Sequence, residues 1–329
     1  MLKRRFSFLL LVVIGLAIFS YRLFNFNGQH DNHLLIKRDV GGHGHGYLYY
    51  DDGSRTRRVF IGYDTEIGVW DADLSPNASK IAFTQRSFLY IYDLRSNQLT
   101  QLNSEPLYPS GSTSIQWSPD GSQIGLPCSL VYGDPIEVCA WDIASGELQV
   151  LIDLQSYGNY DYLSFGGWSE DARAAAQSIA FTIFYPEDYD TGLGRQLILR
   201  LDPDDGDVSK VLDSQAVGLN VNDKIALSPD GKMILFTANT LPEQEEKGFW
   251  FSLYQINSDG TGLRRLVELD DWSLFQPVWS PDGRSFYVTA LANHSMIPRR
   301  YDLSGRLLGI PLSQFGRMML SWRSAEFGR

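Results

Sequence analysis

Short runs of alternating apolar and polar residues recur along the chain, and turn residues separate them. Five times an apolar residue is followed by Ser-Pro-Asp-Gly or a close variant, and then by a short β-forming run such as Ile81–Thr84 or Ile234–Thr237. The five segments begin at Leu74, Trp117, Trp168, Leu227 and Trp279. From that residue to the end of the run is 10 positions in four segments and 14 in the third, which indicates that four extra residues fall within Ala172–Ala176. Repetition at a fixed spacing is typical of repeat architectures.

A second motif follows each run. An apolar strand ends in Asp or Asn, a small polar turn follows, and another strand begins; the Asp or Asn residues are Asp93, Asp142, Asp202, Asn257 and Asp302. Asp and Asn bond their own backbone and Gly accepts a positive φ, so each motif predicts a tight hairpin. Four strands per repeat, with 43 to 59 residues between repeats, predict the blades of a β-propeller.

The two ends of the chain together predict a sixth blade. Residues 33–36, 47–53 and 57–60 have the pattern of second, third and fourth strands that lack a first strand, and residues 319–324 have the pattern of an unpartnered first strand. Joining them leaves no open sheet edge between the first and last blades. We therefore expect an all-β chain in which residues 33–329 form a six-bladed β-propeller with a split first blade.

These motifs resemble those of TolB-type propellers with WD40-like repeats. The resemblance is carried by the turn at Trp117–Gly121, the strand at Ile179–Thr182 and the turn at Tyr301–Gly305, and it covers nearly all of the chain after residue 32. It implies the propeller fold. TolB itself has an extra α/β domain before its propeller, whereas only a short tether at residues 25–32 is expected here, so the role of TolB is not implied.

The N-terminal segment predicts a membrane anchor. Three cations at residues 3–5 precede a run at residues 6–24 that is almost wholly apolar and long enough to cross a bilayer as a helix. Residues 1–24 are therefore expected to be a transmembrane helix with a cytoplasmic N-terminus, which places the propeller on the extracytoplasmic side. The alternative is a cleaved signal peptide, after which the propeller would be exported, but the small residues of a cleavage site fit poorly.

Composition narrows the possible partners. The formal net charge is −11, which argues against a nucleic-acid partner because phosphate binding needs clustered Lys and Arg. The two cysteines, Cys128 and Cys139, are expected in the second and third strands of one blade. If the hairpin is centred on Gly133 and Asp134, the two cysteines lie directly opposite each other, and an exported domain would join them in a disulfide.

The strand order assigns the loops to two faces. Connections from first to second and from third to fourth strands form a tight-turn face, and the remaining, longer connections form a long-loop face. The predicted tether enters at the tight-turn face, so the long-loop face should point away from the membrane. Long loops on a rigid scaffold usually carry function. The long-loop residues chosen as binding candidates are Tyr157, Tyr160, Asp161, Tyr189, Asp271 and Trp272; the alternative is that they pack over blade edges.

Catalytic motifs are scarce. We find no nucleophile elbow, P-loop, zinc-protease or Cys-x-x-Cys motif. His43 and His45 lie in a glycine-rich loop that His294 could approach, and such a cluster would suit a metal. We expect a non-catalytic propeller without a cofactor that binds a protein or glycan partner in the cell envelope. The alternative is a metal-assisted lyase or hydrolase acting at the mouth of the central channel.

Overall fold

The computed structural model is an all-β structure. It describes residues 32–39, 46–52, 55–59, 71–85, 87–107, 114–129, 136–152, 154–158, 160, 162–171, 176–185, 194–240, 250–270, 272–292, 295–309 and 317–324. Within these ranges the strands are interrupted by a 3₁₀ turn at Gln155–Tyr157 and a four-residue helix, α1, at Ser214–Val217. None of the helices in these ranges has the length and apolar content needed to cross a membrane. The predicted anchor at residues 1–24 and most of the tether lie outside the described residues.

Within the described part of the chain, the strands form six antiparallel four-stranded sheets, and each sheet is named by its first strand. Five sheets use consecutive strands. The β4 sheet holds β4 (Ala72–Leu74), β5 (Lys80–Gln85), β6 (Phe88–Asp93) and β7 (Leu99–Gln101). The β8 sheet holds β8 (Gln116–Trp117), β9 (Gln123–Cys128), β10 (Glu137–Asp142) and β11 (Leu148–Ile152). The β12 sheet holds β12 (Tyr162–Asp171), β13 (Ala176–Phe184), β14 (Gln196–Leu201) and β15 (Val208–Asp213).

Two further sheets repeat this order. The β16 sheet holds β16 (Leu219–Leu227), β17 (Met233–Thr240), β18 (Ser252–Asn257) and β19 (Arg264–Val267). The β20 sheet holds β20 (Ser273–Trp279), β21 (Ser285–Ala292), β22 (Ser295–Asp302) and β23 (Leu307–Gly309).

The remaining sheet joins the two ends of the chain. β24 (Arg317–Ser324) pairs with β1 (Asn32–Asp39), which continues to β2 (Gly46–Asp51) and β3 (Thr56–Arg58). Leu34 lies opposite Trp322 in this pairing. A late strand thus completes a sheet begun by the earliest ones, so the chain cannot open at this edge without breaking a full ladder of backbone hydrogen bonds.

The first strands surround a central axis. Each contacts the first strand of the next sheet, in the order β24, β4, β8, β12, β16, β20 and back to β24. Apolar clusters fill the spaces between sheets. The third residue of the β-forming run after the Ser-Pro-Asp-Gly motif or its variant has no exposed surface in three repeats, at Phe83, Phe181 and Phe236. Burying each such side chain contributes roughly 1.5–3 kcal/mol. The prediction of an all-β propeller is confirmed.

The repeated turns are stabilised as their chemistry suggests. Ser118 Oγ donates a hydrogen bond of 2.6 Å to Asp120 Oδ1 and accepts one of 2.9 Å from the Gln123 amide, while Gly121 has a φ of 74°. The same serine contacts recur at Ser75, Ser228 and Ser280. The motif therefore closes the turn from first to second strand with its own side chains.

The pairing also locates the insertion in the third repeat. Trp117 pairs with Ile124, seven positions later, whereas Trp168 pairs with Ile179, eleven positions later. The pairing of Asp171 with Ala176 closes this longer turn. The predicted insertion of four residues is confirmed.

The cysteine hairpin confirms one expectation and corrects another. Cys128 and Cys139 form a disulfide between β9 and β10, with their Cα atoms 5.9 Å apart, inside the usual range. The two cysteines are not directly opposite each other, because Cys128 pairs with Glu137 and Cys139 with Leu126. The register is displaced by two positions, which puts the centre of the hairpin nearer to β9 than predicted. A disulfide between diagonal neighbours results.

Candidate functional site

A cavity of about 360 Å³ lies inside the central channel. Its walls come from β4, β8, β12, β16 and β20 and from the turns that follow them. Each contributing sheet therefore lines the cavity with its first strand and the turn after it. Residues of the tight turns frame one end of the cavity; they are Pro76, Pro119, Pro229 and Pro281. The cavity therefore occupies the part of the channel next to the tight-turn face, opposite the long-loop face where sequence analysis placed binding.

An ion pair crosses the channel at the inner part of this cavity. Lys224 Nζ lies 2.7 Å from Asp71 Oδ2, and both residues line the cavity. Asp71 immediately precedes β4 and Lys224 belongs to β16, and these two sheets stand three places apart in the ring of six. The pair thus connects opposite sides of the channel. Both side chains are largely buried, with 21% of Lys224 and 10% of Asp71 exposed, so removing Lys224 would deprive the Asp71 carboxylate of its counter-charge in a poorly solvated place.

The strand pairing is irregular beside the cavity in three first strands that follow one another around the ring. The register shifts between Phe165 and Gly167 in β12, between Val221 and Ile225 in β16, and between Phe275 and Val278 in β20. The unpaired residues at these three shifts include four that line the cavity, namely Gly166, Lys224, Gln276 and Pro277. Bulges redirect side chains and are frequent next to functional sites, and here they lie beside the cavity.

Gln276 has an unusual backbone conformation at its bulge. Its φ is 49°, in the left-handed region that a residue with a side chain seldom adopts. Such a conformation costs on the order of 1 kcal/mol and persists where the surrounding structure enforces it. A half-buried amide group is thereby held in the cavity wall.

Hydrogen bonds between sheets hold the walls in place. Trp117 Nε1 donates to the Asp73 carbonyl (3.2 Å) while the Trp117 amide donates to Asp73 Oδ2 (3.0 Å). Trp279 Nε1 donates to the Ala226 carbonyl at 2.9 Å, and the Trp168 amide donates to Gln116 Oε1 at 2.9 Å. Each bond ties one first strand to its neighbour, so the cavity has a rigid frame.

Two predicted binding residues, Tyr157 and Tyr160, pack against the apolar cluster between the β8 and β12 sheets. Tyr160 donates its hydroxyl to the Ile136 carbonyl. Tyr185, in the next long loop, donates to the Tyr157 carbonyl at 2.8 Å. Both predicted tyrosines are half-buried, so each packs against a blade edge while part of its side chain stays accessible.

A charged pair lies beside these tyrosines. Arg195 donates to both carboxylate oxygens of Asp213, at 3.2 and 2.6 Å, and its guanidinium stands 5.4 Å from the centre of the Tyr185 ring. The hydrogen bond from Arg195 lowers the pKa of Asp213, and the same bond raises the pKa of Arg195. Burial raises the pKa of the Tyr185 hydroxyl. The pair stays ionised at neutral pH and orders the base of this loop.

Aromatic residues of the β16 and β20 sheets contribute to the same face. The predicted Trp272 packs against the cluster between these sheets, and the Arg299 guanidinium stands 4.6 Å from its ring centre. Trp250, which was not among the predicted binding residues, leads into β18 with 38% of its surface exposed. Val217, at the end of α1, is 42% exposed on the same face. The only sequence signal for Trp250 was a large aromatic residue directly after a long acidic loop.

The other candidate residues cannot be located. Asp161, Tyr189 and Asp271 of the predicted binding set, and His43, His45 and His294 of the alternative metal set, lie outside the described residues. Within the described ranges, no three His, Cys, Asp or Glu side chains cluster in a way that could hold a metal ion. The ion pair between Asp71 and Lys224 was also missed, because the two residues are 153 positions apart and neither belongs to a motif.

Comparison with known proteins supports the fold. No family model and no curated protein matches the chain. Among solved structures, TolB from Acinetobacter baumannii is similar with a TM-score of 0.62 and 17% identity, over 88% of this chain and 66% of that one. A candidate TolB from Agrobacterium tumefaciens has a TM-score of 0.63 and 14% identity, over 90% and 95%. Oligogalacturonate lyase from Vibrio parahaemolyticus has a TM-score of 0.51 and 14% identity, over 87% and 75%.

These similarities concern the fold alone. The chain spans just under two thirds of the length of TolB from Acinetobacter baumannii. The resemblance to TolB-type propellers that the sequence motifs indicated is confirmed at the level of the fold. Because TolB structures and a lyase both appear among the similar structures, the function has to be argued from the residues of this chain.

Proposed function

We propose that this chain is a non-catalytic six-bladed propeller that binds a protein or glycan partner of the cell envelope through its long-loop face. In this proposal the C-terminal strand closes the ring, residues 6–24 anchor the chain in the membrane, and the propeller lies on the extracytoplasmic side. The observation that carries the binding role is the exposure of Trp250, 38% of whose surface is accessible.

Trp250 is held on a rigid support. Its neighbour Phe251 is buried, accepts a 2.8 Å hydrogen bond from the Leu274 amide and donates its own amide to Ser273 Oγ at 2.9 Å. These bonds connect the start of β18 to the next sheet, β20. An exposed aromatic side chain on a fixed backbone loses less entropy when it becomes buried in a complex than one on a mobile loop. Such residues frequently dominate the binding energy of an interface.

The surroundings of Trp250 suit an interface that contains both apolar and charged groups. The same face presents the apolar side chain of Val217 and the guanidinium group of Arg195, whose side chain is 39% exposed. Trp, Tyr and Arg are the residues most enriched at interface hot spots. Tyrosine and tryptophan also stack against sugar rings while their polar tips form hydrogen bonds. A protein surface or a glycan can both satisfy this arrangement.

The test is chemical crosslinking of the full chain in envelope extract, followed by purification and identification of the crosslinked species. Trp250→Ala should lose the partner that the wild-type chain captures. Leu307→Ala is the matched control, because Leu307 is similarly exposed, at 45%, but lies on the outer strand β23. A partner captured equally by wild type and Trp250→Ala, or the absence of any specific species, would contradict the proposal.

The polar cavity favours one second candidate, a propeller enzyme acting at the channel mouth with the help of a metal. Charged and amide side chains converge there, which a purely structural channel does not need. Its candidate ligands, His43, His45 and His294, belong by the strand order to the long-loop face, at the other mouth of the channel from this cavity. Dialysis of the full chain against a chelator, reloading with zinc or manganese and metal analysis tests it. Stoichiometric metal that is lost in His43→Ala supports the enzyme, and a chain that takes up no metal contradicts it.

A further inference from the structure

Arg299 is a half-buried cation without an anion beside it. Its guanidinium stands 4.6 Å from the centre of the Trp272 ring, and it forms no ion pair with any residue that the structure describes. Arg299 Nε is buried and has no hydrogen-bond acceptor in the same part of the chain. A buried polar atom that lacks a partner destabilises the fold. Such an atom in a native structure needs an explanation, and a functional role is one of them.

Tyr301 provides a second polar group without a partner at the same place. Arg299 and Tyr301 are two positions apart in β22, so their side chains leave the same face of the β20 sheet. Tyr301 packs in the cluster between the β16 and β20 sheets, with 3% of its surface exposed. Burial raises the pKa of Tyr301, and the Arg299 guanidinium is near enough to oppose that rise. The hydroxyl still forms no hydrogen bond within the described residues.

Two other arginines show what is missing at Arg299. Arg195, beside the β12 sheet, also stacks on an aromatic ring, but it donates to both carboxylate oxygens of Asp213. Arg265, in the β16 sheet, lies 3.4 Å from Glu268. In both pairs the chain itself supplies the carboxylate. Arg299 has the aromatic support without the carboxylate, so the group that would complete its contacts is an anion from outside the described chain.

The unpaired guanidinium is close to the support of Trp250. Trp250 and Trp272 immediately precede Phe251 and Ser273, and the Phe251 amide donates to Ser273 Oγ at 2.9 Å. Each tryptophan is therefore one residue away from a hydrogen bond that joins the β16 and β20 sheets. The Arg299 side chain extends from β22 to the Trp272 ring. The exposed indole of Trp250 and the cation of Arg299 thus belong to one region of the long-loop face.

A carboxylate on a flexible stem suits this position best. A guanidinium binds a carboxylate through two parallel hydrogen bonds at its edge, while its flat face stacks on an aromatic ring. Arg299 and Trp272 are both half-buried, so the cation is recessed. An aspartate or glutamate side chain can extend into such a recess, whereas a sugar carboxylate would have to bring its ring with it. Because the net charge of the chain is −11, the protein as a whole does not attract anions, and binding has to depend on this local cation.

We propose that Arg299, supported by Trp272, pairs with an acidic side chain of a protein partner that also buries Trp250. This inference rests on the proposed function and deepens it, because it chooses a protein over a glycan and names the group that the partner presents. An uncharged partner would bury the guanidinium without an acceptor, which is unfavourable. Arg299 is thus a specificity residue that selects against such partners.

The first test uses propionate, which carries a carboxylate on a stem like that of glutamate, and propionamide, its uncharged counterpart. Magnetic resonance of the arginine Nε–H groups is recorded on the full chain in detergent micelles, with nitrogen-15 arginine and constant ionic strength. Arg299→Lys and Arg195→Lys identify the two signals by their loss. We expect propionate to shift the Arg299 signal saturably and propionamide to leave it in place. The Arg195 signal should not move, since Asp213 already occupies that guanidinium.

Three results of this titration would overturn the proposal. The first is an Arg299 signal that propionate does not move, and the second is a signal that propionamide moves equally. The third concerns glucuronate, which carries the same charge on a sugar ring and should bind more weakly than propionate. Tighter binding of glucuronate would show that the recess accepts a sugar ring, and the partner would then be an acidic glycan.

The second test repeats the crosslinking experiment with Arg299→Gln. This variant should capture the partner roughly tenfold more weakly than wild type, the effect of losing a hydrogen-bonded charge pair. Its thermal midpoint should stay close to that of wild type, because Arg299 forms no ion pair within the described residues. Capture kept in Arg299→Gln but lost in Trp250→Ala would refute this inference and leave the proposed function standing. A wild-type chain that captures no partner would contradict the proposed function even if propionate binds Arg299, so the two failures are distinguishable.

Discussion

Lys224 Nζ and Asp71 Oδ2 lie 2.7 Å apart across the central channel and join the β16 sheet to the β4 sheet on the opposite side. Neighbouring sheets are held together by apolar packing and by hydrogen bonds such as that from Trp279 Nε1 to the Ala226 carbonyl. The ion pair is a contact of a different kind, because it links sheets that do not touch through their cores. It also restricts what can pass along the axis.

Breaking this pair should destabilise the fold. Lys224→Met leaves the carboxylate of Asp71 buried without a counter-charge, and we expect a loss of about 3 kcal/mol in the free energy of unfolding. Asp71→Asn combined with Lys224→Gln removes both charges, so the double variant should be more stable than Lys224→Met. Urea denaturation of the three proteins measures both effects. A loss below about 0.5 kcal/mol in Lys224→Met, which is the range of exposed ion pairs, would show that the pair is solvated.

Much of the fold could be predicted because its turns are determined by residues that lie close together in the sequence. Each Ser-Pro-Asp-Gly segment closes the turn from first to second strand with hydrogen bonds between residues at most five positions apart. The bonds of Ser118 with Asp120 and Gln123 are an example. The four-residue insertion before Ala176 and the pairing of Leu34 with Trp322 followed from counting positions between such segments. The disulfide of Cys128 and Cys139 followed from their places in adjacent strands.

The candidate site was less predictable because it is assembled from residues far apart in sequence. Asp71 and Lys224 belong to no motif, and only closure of the ring brings them together. The bulges that expose Lys224 and Gln276 to the channel contain Asn222, Asp223 and Pro277, which interrupt a strand pattern, but these residues lie outside the repeated motifs and were not used. The register of the cysteine hairpin was misjudged by two positions because a symmetric turn was assumed.

Gly166 should not tolerate a side chain. A Cβ atom at this position would overlap Ile225 Cγ1 and lie 3.1 Å from the Ala180 carbonyl oxygen. Ile225 is buried in the core between the β12 and β16 sheets and cannot move freely. Gly166→Ala should therefore lose roughly 1–3 kcal/mol of stability. Gly309→Ala is the control, since its Cβ would meet no atom within 4 Å. Equal thermal midpoints for the two variants would show that the bulge in β12 adjusts.

Thr237 offers a stabilising substitution. Its side chain is fully buried in β17, and its hydroxyl has no hydrogen-bond partner among the residues that the structure describes. Thr237→Val replaces that hydroxyl with a methyl group of similar shape, which should raise stability by about 1 kcal/mol. Thr261→Val should lose stability instead, because Thr261 Oγ1 donates to Asp259 Oδ1 at 2.6 Å. Chemical denaturation distinguishes the two, and a loss in Thr237→Val would indicate a buried water bound to the hydroxyl.

Two buried tyrosines should make the fold sensitive to alkali. Burial raises the pKa of Tyr50, whose hydroxyl lies 2.6 Å from His33 Nδ1, to about 12, and burial raises the pKa of Tyr287 to about 12 as well. In the unfolded chain both hydroxyls ionise near pH 10, so between pH 10 and 12 the unfolded state binds fewer protons than the folded state. Stability is therefore fully present below pH 10 and falls as the pH rises towards 12, by on the order of 2 kcal/mol for each tyrosine.

The measurement is the urea midpoint of wild type and of the double variant Tyr50→Phe/Tyr287→Phe at a series of pH values from neutral through pH 10 to 12. The double variant loses the contact of Tyr50 with His33 and starts from a lower midpoint. Its midpoint should then decline less steeply above pH 10, because neither position can ionise. Parallel curves for the two proteins would mean that other groups cause the alkaline loss. That result would also imply that water reaches Tyr50 and Tyr287 in the folded state, since burial is the main reason for their raised pKa values.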